Sequence, residues 1–281
     1  RDRSSEHHLA RGKRVEMLFG TQAGRSMGAA EIVLSSVRAG VQSGLDRTLS
    51  VGYGLVYDFI FERFTPYQRL VSEILALVTA SAPAGIDRRQ VHILDIGCGP
   101  GNVSLSLAEA GFAVLGVDPY GALVELAREK RRAKHLAHLA FQQADLAQTG
   151  AVPGEPFDVV VNVHSLYAHP SPDRLLEAAH RVLRPGGHAI FVNFSRRISL
   201  WSTFEEVKRA HGWKRALECL LWVLPNSIFE ATRKRVGPHY WAPDEFSARL
   251  KAAGFTVMAM RPTFFNGASL LALARKETRE S

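Results

Sequence analysis

Residues 91–104 read VHILDIGCGPGNVS, and the chain is best read outward from them. Val91, Ile93, Leu94 and Ile96 form the short apolar run of a strand buried on both faces. Gly97, Gly99 and Gly101, with Pro100 among them, break that run into a turn. Residues 102–110, carrying Val103, Leu105 and Leu107, then read as a helix. Strand, glycine turn and helix in that order bring backbone amides up to a ligand with no Cβ in the way. The glycines run G-x-G-x-G, whereas phosphate-cradling dinucleotide loops run G-x-G-x-x-G. Asp95 stands just before them, where it would repel a pyrophosphate and attract a cationic amino-acid end. Residues 113–117 (AVLGV) read as a second strand closed by Asp118, an acid suited to a ribose diol. Asp145 follows a third strand-like run, 138–143. Three acids at successive strand ends suit adenosine joined to an amino acid, with no phosphate; the same features disfavour a nicotinamide oxidoreductase.

The alternation continues. Strands are expected at 91–96, 113–117, 138–143, 157–163 and 188–194, with helices at 102–110, 121–135 and 173–183 between them. Ser171–Pro172 supplies the last helix with an N-cap and first position. A helix over 67–80 precedes them, with Leu70, Val71, Ile74, Leu75 and Val78 at helical spacing. A final helix at 244–253 follows Pro243 and stops at Gly254. Residues 255–260 and 270–274 read as the last strands. Such alternation predicts an α/β, doubly wound, mostly parallel sheet, with ligands at the carboxyl ends of its strands. Gly97, Asp118, Asp145 and Asn162 all fall at those ends.

Two segments stand outside the alternation. Residues 1–65 form a polar, aperiodic tail followed by aromatic stretches broken by glycines, read as N-terminal helices capping the core. Residues 195–242 interrupt the pattern after the fifth strand, with Trp201, Phe204, Val207, Ala210, Trp213 and Leu217 at three- and four-residue intervals. We expect a helical lid over the strand ends; a rigid cap or a contact in a homodimer is the plainer reading. The core would then be 66–194, completed by 243–281.

The 281 residues suffice for a domain with a large core, and 46% hydrophobic with 22% charged residues is ordinary for a globular protein. No apolar run of roughly 18 residues is present, so no spanning helix is expected. Cys98 and Cys219 lie far apart, which suits a reducing, cytoplasmic setting over a disulfide framework. The formal charge of +8 is concentrated at 1–14, 128–134 and 233–235. Such clusters attract nucleic acid or anionic small molecules, or serve as solvated helix faces. They carry no aromatic interleaving. His7 and His8 have no partner at metal-ligand spacing.

The blocks LDIGCGPG (94–101), VDPY (117–120), ADL (144–146), FDVVVNV (157–163) and RVLRPGG (181–187) resemble, in order and spacing, the class I S-adenosylmethionine-dependent methyltransferases of small-molecule type. The resemblance spans about residues 66–275. It implies the Rossmann-like methyltransferase fold, a doubly wound seven-stranded mostly parallel sheet whose last two strands are antiparallel. It also implies S-adenosyl-L-methionine as cofactor, S-adenosyl-L-homocysteine as product and no metal. Asp95, Gly97, Cys98, Gly99 and Gly101 would hold the methionine part, and Asp118 the ribose. Pro119 and Tyr120 would lie against adenine, Asp145 and Leu146 would meet its edge, and Asn162, Val163 and His164 would line the sulfonium side.

Methyl transfer from a sulfonium asks mainly for alignment and exclusion of water. A base is needed only for an acceptor protonated at working pH. Candidates are His164, His239, His169 and, further off, His211. Tyr167, Trp201, Trp213, Trp222, Tyr240 and Trp241 could shape an apolar or aromatic acceptor pocket, with Arg196, Arg197 or the cluster at Arg233 facing an anionic group. Asn162–Val163–His164–Ser165 is not the [DN]PP[YF] of DNA-amino methyltransferases, and the clustered acids of the metal-dependent catechol group are missing, so DNA and metal are not expected. The expected acceptor is a small molecule, a specialised metabolite, lipid or quinone-like compound methylated on O, N or C; RNA, a protein, or a non-catalytic cofactor-binding partner role are the alternatives.

Overall fold

A computed structural model describes residues 65–278 apart from 84, 155, 197–199, 215, 218–238 and 265–266. These all fall within one unit, Arg47–Ser281. The expected N-terminal cap, most of the second half of the lid, and Arg197, Cys219, Trp222 and the Arg233 cluster lie outside the described residues.

Helix α1 (Thr65–Ser81) places Leu70, Ile74 and Val78 on one stripe, and all are buried. Then come β1 (His92–Ile96), α2 (Asn102–Glu109), β2 (Ala113–Asp118), α3 (Gly121–Ala133), β3 (Leu139–Gln143) and the single-turn α4 (Leu146–Thr149). The second half comprises β4 (Phe157–Val163), α5 (Pro172–Val182), β5 (Leu183–Phe194), α6 (Leu200–His211), α7 (Pro243–Ala252), β6 (Phe255–Thr263) and β7 (Ser269–Lys276).

The sheet order is β3-β2-β1-β4-β5-β7-β6. The first four pairings are parallel; β7 runs antiparallel to both β5 and β6. Chain order reverses at β1, between β2 and β4, and a doubly wound sheet opens a crevice at such a switch point. Successive residues serve opposite faces: Ile93, Val159 and Val161 pack with α1 and α2, whereas Leu94, Ile96 and Val160 pack with α5 and α7. Both faces are therefore dry, which is why these strands read as unbroken apolar runs.

Strand β5 begins five residues before the expected His188, because Leu183 already pairs with Phe157 across an irregularity in the β4 register. Lys276, at the end of β7, closes α5 from outside. Its Nζ donates to the carbonyls of His180, Arg181 and Leu183 at 2.9, 3.2 and 2.7 Å. The last turn of a helix leaves such carbonyls without intrahelical partners, and a cation there also suits the helix dipole.

The basic cluster on α3 is not simply a solvated face. Val114 N–H donates to the His138 carbonyl at 2.9 Å, so the alternate carbonyls of β3, Leu139 and Phe141, face the open edge. Arg131 Nη1 reaches Leu139 O at 3.0 Å, and Arg128 reaches Phe141 O through Nε at 3.1 Å and Nη2 at 2.8 Å. Lys134 pairs with Glu109 of α2. Covering edge carbonyls with charged side chains blunts an edge strand.

Candidate active site

A cavity of about 350 Å³ opens at the carboxyl ends of β1 to β4. Asp95, Gly97, Cys98, Gly99, Asp118, Pro119, Tyr120, Asp145, Leu146, Val163 and His164 line it. Gly101, Asn162 and His239, also singled out in the sequence, are not among its walls.

The glycine turn is held from both sides. Gly97 and Cys98 N–H both donate to Val117 O, at 2.8 and 3.0 Å, so the turn is tied to the end of β2. Gly99 has φ +54°, and a Cβ there would meet nothing within 4 Å, so this residue faces open space. Gly101 is different in kind: a Cβ would come to 2.6 Å from Phe141 Cζ, making it a packing glycine between α2 and β3. It is also the N-cap of α2 and, as a glycine, has no side chain to cap the first amides of that helix.

The three acids differ in environment. Asp95 is 2% exposed and accepts from Ser104 Oγ at 2.6 Å. Burial pushes its carboxyl up to about 7; the Ser104 hydroxyl opposes this and the Asp118 charge adds to it. Asp118 ties two turns together, its Oδ2 accepting from Gly99 N and its Oδ1 from Tyr120 N, both at 2.9 Å. Tyr120 itself stands 40% exposed at the rim. Asp145 caps α4, accepting from Ala147 N at 3.0 Å and Gln148 Nε2 at 2.6 Å. His169 Nδ1 accepts from Ser171 N at 3.0 Å, which leaves Nε2 as the protonated nitrogen, 3.2 Å from Asp145 Oδ1. The His169–Asp145 pair thus stands in the cavity wall.

Another part of the wall is aromatic. His164 has φ +51°, and its ring stacks on Phe194 with centroids 4.1 Å apart. Its Nε2 lies 2.8 Å from Ser269 Oγ, and burial lowers its pKa to about 3, so the ring is neutral. Phe264, also at positive φ, lies 4.9 Å from it. Tyr67 meets Phe264 edge-on at 6.2 Å, and Tyr167 meets Phe194 at 4.9 Å. Tyr67, His164 and Tyr167 turn this cluster toward the cavity.

The remaining candidates are placed elsewhere. Asn162 is fully buried beneath the turn, its Nδ2 donating to Ile96 O at 2.9 Å and to Ser165 Oγ. His239 joins the structure through its backbone, donating to Tyr167 O at 2.7 Å and accepting from Asn193 Nδ2 at 3.2 Å. Trp241 is buried in the second core under the Arg249 guanidinium, 4.8 Å away, and Trp201 and Trp213 are exposed. None of the described tryptophans lines the cavity. Tyr67, Ser104 and Ser165 carried no signal of a site role at the level of sequence, and Gln148 only an indirect one. A capping signature, Asp145 before an LAQTG run, could have pointed to α4 and so to Gln148. Among the described residues, no group of three His, Cys, Asp or Glu could hold a metal, and no helix is long and apolar enough to cross a membrane.

A doubly wound sheet of order 3-2-1-4-5-7-6, with a glycine turn and acids at its switch point, is the architecture of a class I methyltransferase. The chain belongs to that group: residues 61–259 match the family model described as "Methyltransferase domain". It is similar to the ubiquinone biosynthesis O-methyltransferase of Acinetobacter baylyi (strain ATCC 33305 / BD413 / ADP1), 28% identical over 104 residues, covering 37% of this chain and 44% of that protein. It is also similar to the trans-aconitate 2-methyltransferase of Paracidovorax citrulli (strain AAC00-1), 32% identical over 162 residues, covering 56% of this chain and 58% of that protein. The chain thus spans about half the length of these relatives. Among solved structures, magnesium protoporphyrin IX methyltransferase from Synechocystis PCC 6803 with bound SAH superposes with a TM-score of 0.53. At 19% identity, over 76% of this chain and 84% of that one, it shares the fold.

Proposed function

We propose that the cavity holds S-adenosyl-L-methionine and that the protein transfers its methyl group to O, N or C of an apolar, aromatic small molecule. One observation carries this reading. The carboxylates Asp95, Asp118 and Asp145, from three neighbouring strand ends, open on a single cavity beside a glycine whose missing Cβ faces open space. The residues fit the group. Asp118 has both oxygens on backbone amides, yet a carboxylate has about four acceptor sites and can still take ribose hydroxyls. Tyr120 is exposed at the rim to lie against a base, and the Asp95–Gly99 turn suits a zwitterionic tail. A buried acid at that turn is unsuited to a pyrophosphate.

The sulfonium supplies an activated methyl group, so no protein nucleophile is required. The chain's own residues bind, orient and exclude water. The aromatic wall formed by Tyr67, His164 and Tyr167 is the acceptor side in this reading, and a flat apolar ring would stack there. His164, neutral and held by Ser269, serves as wall and hydrogen-bonding partner; a proton leaving the acceptor goes to water. The segment after β5 leaves from the same end of the sheet, where we place a lid, and Arg196 at its start would face an anionic substituent. Two distant cysteines, of which Cys98 is a buried free thiol, accord with work in the cytoplasm.

The test is incubation with methyl-labelled S-adenosylmethionine and a panel of apolar aromatic phenols, acids and amines. Label should pass to at least one aromatic acceptor, with S-adenosylhomocysteine released. Transfer only to RNA or protein would replace the acceptor assignment.

A further inference from the structure

The strand ends, the aromatic wall and the acids belong to the site already described; Lys130, outside the cavity, does not. The sequence puts it in the basic run REKRRAK on α3. Its Nζ crosses to the glycine turn, donating to Pro100 O at 3.1 Å and to Asn102 Oδ1 at 2.9 Å. Those acceptors lie on either side of Gly101, at the junction of turn and α2. Gly101 offers no side-chain cap, and the turn around it contains three glycines. Around that junction Gly101 N–H donates to Cys98 O at 3.0 Å, Leu105 N–H to Gly101 O at 2.8 Å and Ser106 Oγ to Asn102 O at 3.1 Å, and the Lys130 bonds add a tie from it to α3. Pro100 carries no N–H, so its carbonyl is the group its peptide can offer to a clasp.

The geometry points to Lys130 as a positioning residue for the cofactor turn: its ammonium pins Pro100 and Asn102 to α3 and so preorganises the turn that lines the cavity. This rests on the reading that the turn binds S-adenosylmethionine. A turn with several glycines loses more backbone freedom on ordering than any other sequence. A charge-assisted clasp made before the ligand arrives takes that cost out of binding. The ammonium touches neither the cavity nor the reacting atoms, so it acts on affinity and not on the transfer step. Its neighbours Arg128 and Arg131 secure β3, which leaves Lys130 as the cation of this run bonded to the turn in the structure.

The experiment compares wild type, Lys130→Met and Lys130→Arg by calorimetry with S-adenosylhomocysteine, by steady-state kinetics, and by hydrogen exchange of the peptide spanning 97–105. Lys130→Met should weaken S-adenosylhomocysteine binding about tenfold, raise KM for the methyl donor in parallel and leave kcat within about twofold. Exchange at 99–103 should speed up in the ligand-free protein. Lys130→Arg, which keeps a donor of similar reach, should recover most of the affinity. Unchanged affinity in a folded Lys130→Met protein overturns the clasp, as does a loss confined to kcat. Should that variant fail to fold, Asn102→Ala removes one of the two acceptors; a loss of a few fold supports the clasp and an unchanged affinity overturns it. Failure of the wild type to bind S-adenosylhomocysteine overturns the cofactor assignment, a distinct result.

Discussion

Ser104 Oγ, from the first turn of α2, donates to Asp95 Oδ2 at 2.6 Å, and both residues are buried. The bond joins the strand and the helix that flank the glycine turn, and it holds a carboxyl that burial has raised to about 7. Ser104→Ala removes the hydroxyl and leaves the carboxyl in place. We expect a loss of about 1–3 kcal/mol in urea unfolding, because a buried polar group loses its partner.

The same carboxyl sets a pH dependence. Its folded pKa, about 7, lies above its ordinary 3.8. Its contribution to stability is therefore full below about 3.8 and is lost as pH rises through 7. Relative to Asp95→Asn, the wild type should lose a few kcal/mol of stability between pH 5 and pH 8. His164 acts in the opposite sense. Its folded pKa near 3 lies below 6.5, so its contribution is full above 6.5 and fades as pH falls toward 3. His164→Gln should flatten the acid side of the unfolding curve. It should also leave the shape of the pH–rate profile between 6 and 9 unchanged, since the ring does not titrate there; loss of an ascending limb on the acid side would restore a base role.

Gly99 and Gly101, two residues apart, should fail differently. Gly101→Ala sets a Cβ against Phe141 at positive φ, and should cost roughly 2 kcal/mol or more of folding stability. Gly99→Ala has space, so only the backbone strain of about 1 kcal/mol is paid by the fold. Its main effect should be on S-adenosylhomocysteine affinity. Thermal melts and calorimetry on the two variants separate these outcomes.

Much of this was legible in the sequence, and the reasons are physical. Parallel strands covered on both faces must be continuous apolar runs, so β1, β2 and β4 could be bounded closely. The turn and the acids could be found because glycine and carboxylate at strand ends have few other uses together. The start of β5 could not, since Arg184 to Gly187 look like a turn and Leu183 joins the strand only by pairing with Phe157 across the sheet. Helix α4 is one turn long, too short for any periodicity. The reach of Arg128, Lys130 and Arg131 onto backbone carbonyls leaves no trace in sequence, because carbonyls are present at every residue. His164 was marked by position alone; its burial depends on Phe194, Phe264 and Ser269, which are 30 to 105 residues away in the chain.

Lys276 offers a stability test far from the site. Lys276→Met removes the cation from three carbonyls at the end of α5, and about 1–3 kcal/mol should be lost. Lys276→Arg should recover part of it. S-adenosylhomocysteine affinity should be unchanged in both, as seen by calorimetry on the folded variants.

Isothermal calorimetry of the wild-type protein against S-adenosylhomocysteine and, separately, NADH bears most directly on what the strand-end acids select. Saturable, one-to-one heat with S-adenosylhomocysteine and none with NADH is predicted. Tight NADH binding with no heat from S-adenosylhomocysteine would contradict it.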